Sequence, residues 1–407
     1  MKKPRGKRHI AKKTAITIGV VVALLVGVVI GLFHHYYGLM NYVERLKDYV
    51  IADEIAADNA DAEDQWKQLW ESLHGDNSKN LSEEETAKLE EQLSKYLKEN
   101  GNIMADEDVY NILLIGTDSR KNDTSGRSDA IVLVSINNET HDITMTSILR
   151  DCYIYIPEVG GDRINAAYAY GGPELLIETI EQNFNIKINK YMQTNFFAFV
   201  DIVDALGGIE MTITDDEAKV MNETYITYIN KMLGRPKEEG LLQGGGNLKL
   251  NGVQALAYVR VRYLGNGDFD RSERQRKALM AVYEKIQSSS ALQINSLLTT
   301  FLPQIQTDMT ESECLSLLLN LADYYLNYEI HSLTIPAEGT YSDVKIRGMA
   351  VMDVNYETNA KMLTDALYHG IYPQSASDAE EGEESDSDAQ TKPASGGRIS
   401  SKSAYES

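Results

Sequence analysis

The first long apolar run in the chain is AITIGVVVALLVGVVIGLF, residues 15–33, and it carries no charge. As a helix it spans about 28 Å at about 1.5 Å per residue, close to the ~30 Å of a hydrocarbon core. Basic residues crowd its N-terminal side, and Tyr36 and Tyr37 follow it at the far end. This pattern predicts a cytoplasmic basic tail at 1–13 and a transmembrane helix at 14–33, with the rest of the chain outside. A cleaved signal peptide is the competing reading. The length of the run, and the lack of a small-x-small site after it, favour an uncleaved anchor.

Beyond the membrane the pattern turns polar and helical. Val43, Leu46 and Val50 recur at helical spacing, as do Trp66, Leu69, Trp70 and Leu73. The stretch HGDNSKN at 74–80 interrupts them, and Ser82 with Glu85 has the spacing of a capping box. Residues 34–105 therefore read as a helical stem. From about Val109 short apolar runs suited to buried strands begin: 111–116, 130–136 and, after an Asn137-Asn138 turn, 143–149. Helical patterns follow at 173–183, 196–206 and 272–287, with a strand at 209–213 between them. A helix at 311–325, a strand at 330–335 and a helix at 356–368 close the series. Strands interleaved with helices predict an α/β domain over 106–373, with a central sheet covered on its faces. Residues 374–407 are rich in Ser, Asp, Glu and Gly. They hold too little apolar surface to offset chain entropy and read as a disordered acidic tail.

Charge narrows the function. The chain has a net charge of −22, although residues 1–13 carry seven Lys/Arg and no acid. An extracytoplasmic part this acidic argues against nucleic-acid binding, which wants a basic surface. The two cysteines, Cys152 and Cys314, match no metal or redox motif. One disulfide is open to them outside the cytosol, but two buried small apolar residues is the favoured reading. None of the seven histidines falls in the motifs below, which speaks against a His-ligated zinc site and a Ser-His-Asp triad. No G-x-x-x-x-G-K-[ST] loop is present, which speaks against a nucleotide triphosphatase.

Against this acidic background ten of the fifteen arginines lie between positions 120 and 276. Arginine's planar fork binds phosphate in a bidentate manner and stays charged when partly buried. Arginine–carboxylate pairing accounts for some of them; spacing suggests which remain. Arg260 and Arg262 are two apart and in an extended segment point the same way. Arg271, Arg274 and Gln275 share one face of a helix, and Asp270 with Glu273 suits a capping box that places Arg271 in its first turn. A positive side chain there opposes the helix dipole unless an anion sits at that end. Asp118 ends one strand and Asp129 begins the next, offering two hard oxygen ligands for Mg²⁺ bridging to phosphate. Turn-forming aspartate is the plainer alternative for each.

These segments together resemble the LytR-CpsA-Psr family of cell-envelope proteins in Gram-positive bacteria. The resemblance is carried by NILLIGTDSR (111–120), RSDAIVLVSIN (127–137), SILRD (147–151), DRINAAYAYGGPE (162–174), DIVDALGGIEM (201–211), LNGVQALAYVRVR (250–262) and GDFDRSERQR (267–276). It implies a mixed central sheet between helices, with an apolar pocket for a lipid. It also implies transfer of a glycopolymer, a teichoic acid or capsular polysaccharide, from a polyprenyl-pyrophosphate carrier to peptidoglycan. By motif position, Asp118 and Asp129 would hold Mg²⁺. Arg127, Arg150, Arg260, Arg262 and Arg271 would hold the pyrophosphate, helped by Arg120 and Gln275, with Arg163 where a basic residue often stands. Asp151 would orient or deprotonate the acceptor hydroxyl. The chain departs from the pattern at Leu149, where proline is common, at Cys152, where a hydroxyl residue is usual, and at Asp270, where glycine is common. Pyrophosphate hydrolysis, or non-catalytic binding of polyprenyl phosphates by an envelope regulator, are the rival functions.

Overall fold

The computed structural model describes residues 31–45, 51–52, 78–100, 102–117, 126–262, 264–265 and 267–373. The basic tail at 1–13, nearly all of the apolar run at 14–33 and the acidic tail at 374–407 lie outside the described residues. Among the described residues no helix is long and apolar enough to cross a membrane.

The strands in chain order are β1 (Asn41–Tyr42), β2 (Lys79–Asn80), β3 (Val109–Thr117), β4 (Ser128–Asn137), β5 (Asp142–Ile148), β6 (Cys152–Ile156), β7 (Gly160–Arg163), β8 (Lys190–Asn195), β9 (Ile209–Ile213), β10 (Gly246–Leu250), β11 (Gln306–Thr307), β12 (Glu329–Ile335), β13 (Tyr341–Ile346) and β14 (Met349–Val354). The helices are α1 (Glu83–Asn100), α2 (Ile164–Phe184), α3 (Phe196–Ala205), α4 (Asp215–Val220), α5 (Thr227–Met232), α6 (Gly252–Arg260), α7 (Asp268–Gln287), α8 (Ala291–Phe301), α9 (Glu311–Asn327) and α10 (Tyr356–His369). A π-helix, Met221–Ile226, joins α4 to α5.

Seven strands form a mixed sheet in the order β1-β11-β8-β3-β4-β5-β12. The three apolar runs make its centre: β3 pairs antiparallel with β4, and β4 with β5. The parallel neighbours β8 and β12 flank them. One face of the centre is sealed by α2 and α10; there Asn137 Nδ2 donates to the Leu367 carbonyl at 3.0 Å. The opposite face meets α3, α6, α7 and α8 across an apolar cavity. A second, five-stranded sheet runs β2-β13-β14-β6-β7. The chain passes from the first sheet to the second between Ile148 and Cys152, so the SILRD motif lies in the crossover. A helical lobe of α3 to α7 with the β9–β10 ribbon has its own core around Met221, Tyr225, Leu256 and Tyr258.

The structure departs from the sequence reading at definite points. The described part of 34–105 contributes β1 to the large sheet and β2 to the small one, and α1 packs on β6 and β7. The Ser82–Glu85 capping box forms: the Ser82 amide donates to Glu85 Oε2 at 2.9 Å and the Glu85 amide to Ser82 Oγ at 3.3 Å. α2 starts at Ile164, nine residues before the expected helix, because Gly171 and Gly172 leave helical geometry in front of Pro173 and break the pattern. α7 starts at Asp268 with Gly267 as its N-cap, and no side chain caps it, so the Asp270–Glu273 box does not form. No disulfide joins the two cysteines: Cys152 is buried in β6 and Cys314 half-buried in α9.

Candidate active site

The site is built where the two sheets and the helical lobe meet. The β3–β4 ladder pairs Gly116 with Ala130 and then Thr117 with Ser128, skipping Asp129. This β-bulge takes Asp129 out of the ladder, a device common beside functional sites. Arg150 Nη1 reaches Asp129 Oδ1 at 2.6 Å from the crossover after β5. Burial pushes the Asp129 carboxyl up, but Arg150, Arg271 and Arg260 outweigh it and hold the group below the usual carboxylate range.

Asp151 is the hub. It is 3% exposed, and its carbonyl accepts the Met352 amide of β14 at 2.9 Å. Its side chain receives Arg163 Nη1 at 3.4 Å, lies 3.9 Å from Arg150 Nε and makes a short contact with Arg262 Nη2. Burial again opposes ionisation, and Arg262, Arg150, Arg163 and Arg271 override it, driving the carboxyl well below its ordinary range. Such a group is a poor proton acceptor near neutral pH. The three arginines held on its carboxylate favour orientation over deprotonation as the role of Asp151.

The arginines come from separate stretches of the chain. Arg163 ends β7 and stands as N-cap of α2. Arg260 is the last residue of α6, where Val261 breaks the helix at ψ 115. Arg260 and Arg262 are therefore not side by side on an extended segment. Arg262 turns to Asp151, while Arg260 lies 5.5 Å from the Phe196 ring centre and 5.7 Å from that of Tyr228. Stacking on rings holds a guanidinium without neutralising it. Arg271, 6% exposed, acts on both carboxylates from the start of α7. Arg127 precedes β4, and its charge is felt at the Tyr170 hydroxyl of α2. Five guanidinium groups thus act on Asp129 and Asp151.

Other arginines are structural. Arg274 leaves the face of Arg271 and Gln275, donating from Nε to Glu217 at 2.9 Å and from Nη1 to the Val261 carbonyl. Arg276 Nη1 binds Ser147 Oγ at 2.9 Å and Thr334 Oγ1 at 3.3 Å, tying α7 to the sheet. Arg235 sits 3.8 Å from Asp204. Asp118 and Arg120 lie outside the described residues. Asp129 alone, a half-buried ionised hard-oxygen donor, fits Mg²⁺ in its chemistry.

The departures from the family pattern have local reasons. The Leu149 amide donates to the Ile335 carbonyl at 2.8 Å, a bond proline cannot make. Cys152 is buried with its thiol near the same carbonyl. Asp270 packs over Gly265, where an added methyl would collide with its carboxylate.

The cavity adjoins the cluster. It measures about 280 Å³ and is lined mainly by apolar side chains, among them Leu114, Val132, Phe199, Leu256, Leu279 and Phe301. Gly116 and Ala130, paired across β3 and β4, are the smallest residues of its floor and leave the space. Phe196 belongs both to the lining and to the surroundings of Arg260. On α7, Arg271 belongs to the cluster while Gln275 and Leu279, one and two turns on, line the cavity. Sequence reasoning missed Phe196, Tyr228 and the apolar lining, because apolar residues around a void have the same periodicity as core; of the lining it named Gln275 alone, as a phosphate-binding residue. The one available signal was the Gly116–Ala130 pair at the strand ends.

A cationic cluster beside an apolar cavity, on a mixed α/β scaffold, has chemistry suited to an amphipathic anion. A model of the LytR_cpsA_psr family matches residues 73–367, and the chain belongs to that family. Among its relatives is TagU of Bacillus cereus, named a polyisoprenyl-teichoic acid–peptidoglycan teichoic acid transferase. It is 33% identical over 231 residues, covering 56% of this chain and 69% of that protein. The protein of the same name from Oceanobacillus iheyensis is 34% identical over 233 residues, covering 55% and 67%. Among solved structures, TagT bound to LI-WTA gives a TM-score of 0.51 at 29% identity, covering 66% of this chain and 94% of that one. Protein gbs0355 from Streptococcus agalactiae gives 0.52 at 27% identity, covering 66% and 90%.

Proposed function

We propose that the protein is a membrane-anchored, extracytoplasmic phosphotransferase that moves a glycopolymer from a polyprenyl-pyrophosphate carrier to peptidoglycan. The observation that carries this reading is the convergence of five arginines on two carboxylates beside an apolar cavity. The cluster suits a diphosphate and the cavity suits a prenyl chain. The names of the related transferases support the donor and acceptor classes. The charge-free run at 15–33, with basic residues before it, supports a single-pass anchor with its N-terminus inside.

In this reading Arg127, Arg150, Arg163, Arg260, Arg262 and Arg271 bind the diphosphate, with Arg120 and Gln275 assisting. An acceptor hydroxyl oxygen attacks the phosphorus that bears the glycan. The new O–P bond forms as the bond from that phosphorus to the bridging oxygen breaks. Polyprenyl phosphate leaves with the bonding pair, and the hydroxyl proton is lost to solvent. Arg150 and Arg127 stabilise the charge that grows on the phosphoryl and bridging oxygens, a preorganised electrostatic role. Asp151 keeps the guanidinium groups aimed. Asp129 with Asp118 would hold Mg²⁺, which when bound supplies further positive charge to the phosphate oxygens.

The test is turnover of a lipid-linked oligosaccharide by the full chain carrying Arg150→Ala. Losing one charge-stabilising donor is expected to slow it by ~10²–10³-fold. Arg235→Ala, outside the cluster, is expected to leave the rate near that of the parent. Undiminished turnover in Arg150→Ala would overturn the assignment.

A further inference from the structure

α9 is an anomaly in this fold. It has 17 residues, begins with a Thr310–Glu313 capping box, and none of its residues is buried. Yet it is rich in leucine and tyrosine. Glu313 fastens it to Lys190 of β8 at 2.9 Å. Leu318, Leu319, Ala322, Tyr325 and Leu326, spaced i, i+1, i+4, i+7, i+8, form one apolar stripe facing away from the protein. Leu319 is 72% exposed and Leu326 70%. Ser312, Ser316, Asn320, Asp323 and Asn327 make the polar stripe. A soluble surface rarely carries so continuous an apolar strip without something to cover it.

The position of the stripe identifies what covers it. Residues 31–37 are helical and directly continue the apolar run at 15–33. They meet the domain at the junction of α8 and α9: His34 Nδ1 lies 2.8 Å from Glu311 Oε1, the Tyr36 hydroxyl donates to Asn295 at 2.6 Å, and the Tyr37 hydroxyl donates to the Met309 carbonyl at 3.0 Å. Glu311 is the first residue of α9, and Leu318 follows it two turns later on the same face. Leu292, three residues before Asn295 on α8, is 83% exposed, and Leu32, two residues before His34, is also exposed. A chain whose anchor ends at residue 33 keeps this junction at the membrane surface, since the contacts fall one to four positions after it.

We propose that α9 lies in the bilayer interface, with its leucine–tyrosine stripe sunk among the headgroups and upper acyl chains and Leu292 of α8 beside it. The inference rests on the anchor reading given above. α9 contains no Lys or Arg and three acids, Glu311, Glu313 and Asp323. Apolar burial therefore drives the contact, not attraction to anionic lipid, which is the usual partner of basic interfacial helices. Tyrosines suit the headgroup level, where ring and hydroxyl both find their medium. One consequence is geometric: α8, which meets Tyr36 just beyond the anchor, also supplies Phe301 to the cavity wall. Docking of α9 would fix the orientation of that cavity above the membrane.

The experiment uses the full chain in phosphatidylcholine vesicles, with Leu319→Cys or Leu326→Cys carrying a polarity-sensitive dye in a Cys314→Ser background. Both positions are exposed, so folding is preserved. The dye is expected to emit to the blue and to be quenched several-fold more by lipids spin-labelled near the headgroup than by aqueous iodide. At Ser316→Cys, on the polar stripe, the order is expected to reverse. Adding phosphatidylglycerol is expected to leave the lipid quenching unchanged. A dye at Leu319→Cys that iodide reaches and lipid does not, or one that neither reaches because a protein segment covers it, overturns the docking. So does a gain in lipid quenching on adding phosphatidylglycerol, which would mark a charge-driven contact. Extraction with alkaline carbonate reports the anchor separately: a retained chain with its dye in water sinks the docking alone. A released chain overturns the anchor reading and this inference with it.

Discussion

Asp151 gathers three guanidinium groups on one carboxylate, which favours a positioning role for the residue. A base for a sugar hydroxyl needs a pKa near the working pH, and the surrounding arginines keep Asp151 far below it. Removing its charge leaves Arg150, Arg163 and Arg262 facing a neutral group in a buried place. Breaking a buried pair in this way costs roughly 3–5 kcal/mol. Asp151→Asn is expected to lose about that much unfolding free energy, measured by chemical denaturation. The acid limb of its residual kcat/KM profile should stay where it is in the parent. Disappearance of that limb would restore the proton-acceptor role. The residue types of the site were legible in sequence, since arginine in an acidic chain has few other reasons to concentrate. Their partners were not. Whether Arg274 serves phosphate or Glu217, and whether Arg260 points with Arg262 or stacks on Phe196, depends on where α6 ends and which lobe α7 meets.

Elements position these residues by close backbone contact. α6 carries Arg260 and packs on α3 through Gly252, where an added methyl would overlap the Val200 backbone. The Gly252 amide also donates to Asp204 Oδ1 at 2.7 Å. Gly252→Ala is expected to push α6 from α3 at a cost of about 1–3 kcal/mol, read as a lower Tm. Turnover should fall further than stability, because Arg260 moves with its helix. A Tm unchanged from the parent would show that the contact is looser than described. The cavity offers the complementary test. Val132→Phe places a ring into the space over Gly116 and Ala130. It is expected to reduce turnover of lipid-linked donor at least tenfold, while inorganic pyrophosphate binding, read by calorimetry, stays near the parent value. Loss of both would mean that the substitution disturbs the arginines too. The strands and most helices were readable from period and turn residues. α2 and α7 were not readable at their starts, because Gly171-Gly172-Pro173 looks like a loop and Gly267 supplies no capping side chain. The short β6, β7, β8, β13 and β14 have no long apolar run to announce them.

At the scale of the molecule, the site sets a pH dependence. Asp129 and Asp151 have an ordinary value of 3.8 in the unfolded chain, and both are held below it in the fold. Their contribution to stability is therefore complete above that value and drains away as the pH falls through the lower, folded values. Acid unfolding of the parent is expected to be steep below about pH 4 and shallower in Asp129→Asn, followed by circular dichroism. Equal slopes would mean that other carboxylates dominate. The α/β class of the domain was legible from the alternation of strands and helices, but its division into two sheets was not. The SILRD crossover that joins the sheets reads in sequence as one more strand end, yet it places Arg150 and Asp151 where both layers meet.

The most direct measurement is a crystal structure of the protein with a polyprenyl pyrophosphate bound. The expected result has the two phosphates within hydrogen-bond distance of Arg150, Arg262 and Arg271, and the first isoprene units over Gly116 and Ala130. A diphosphate bound away from these arginines, with the cavity free of the prenyl chain, would contradict it.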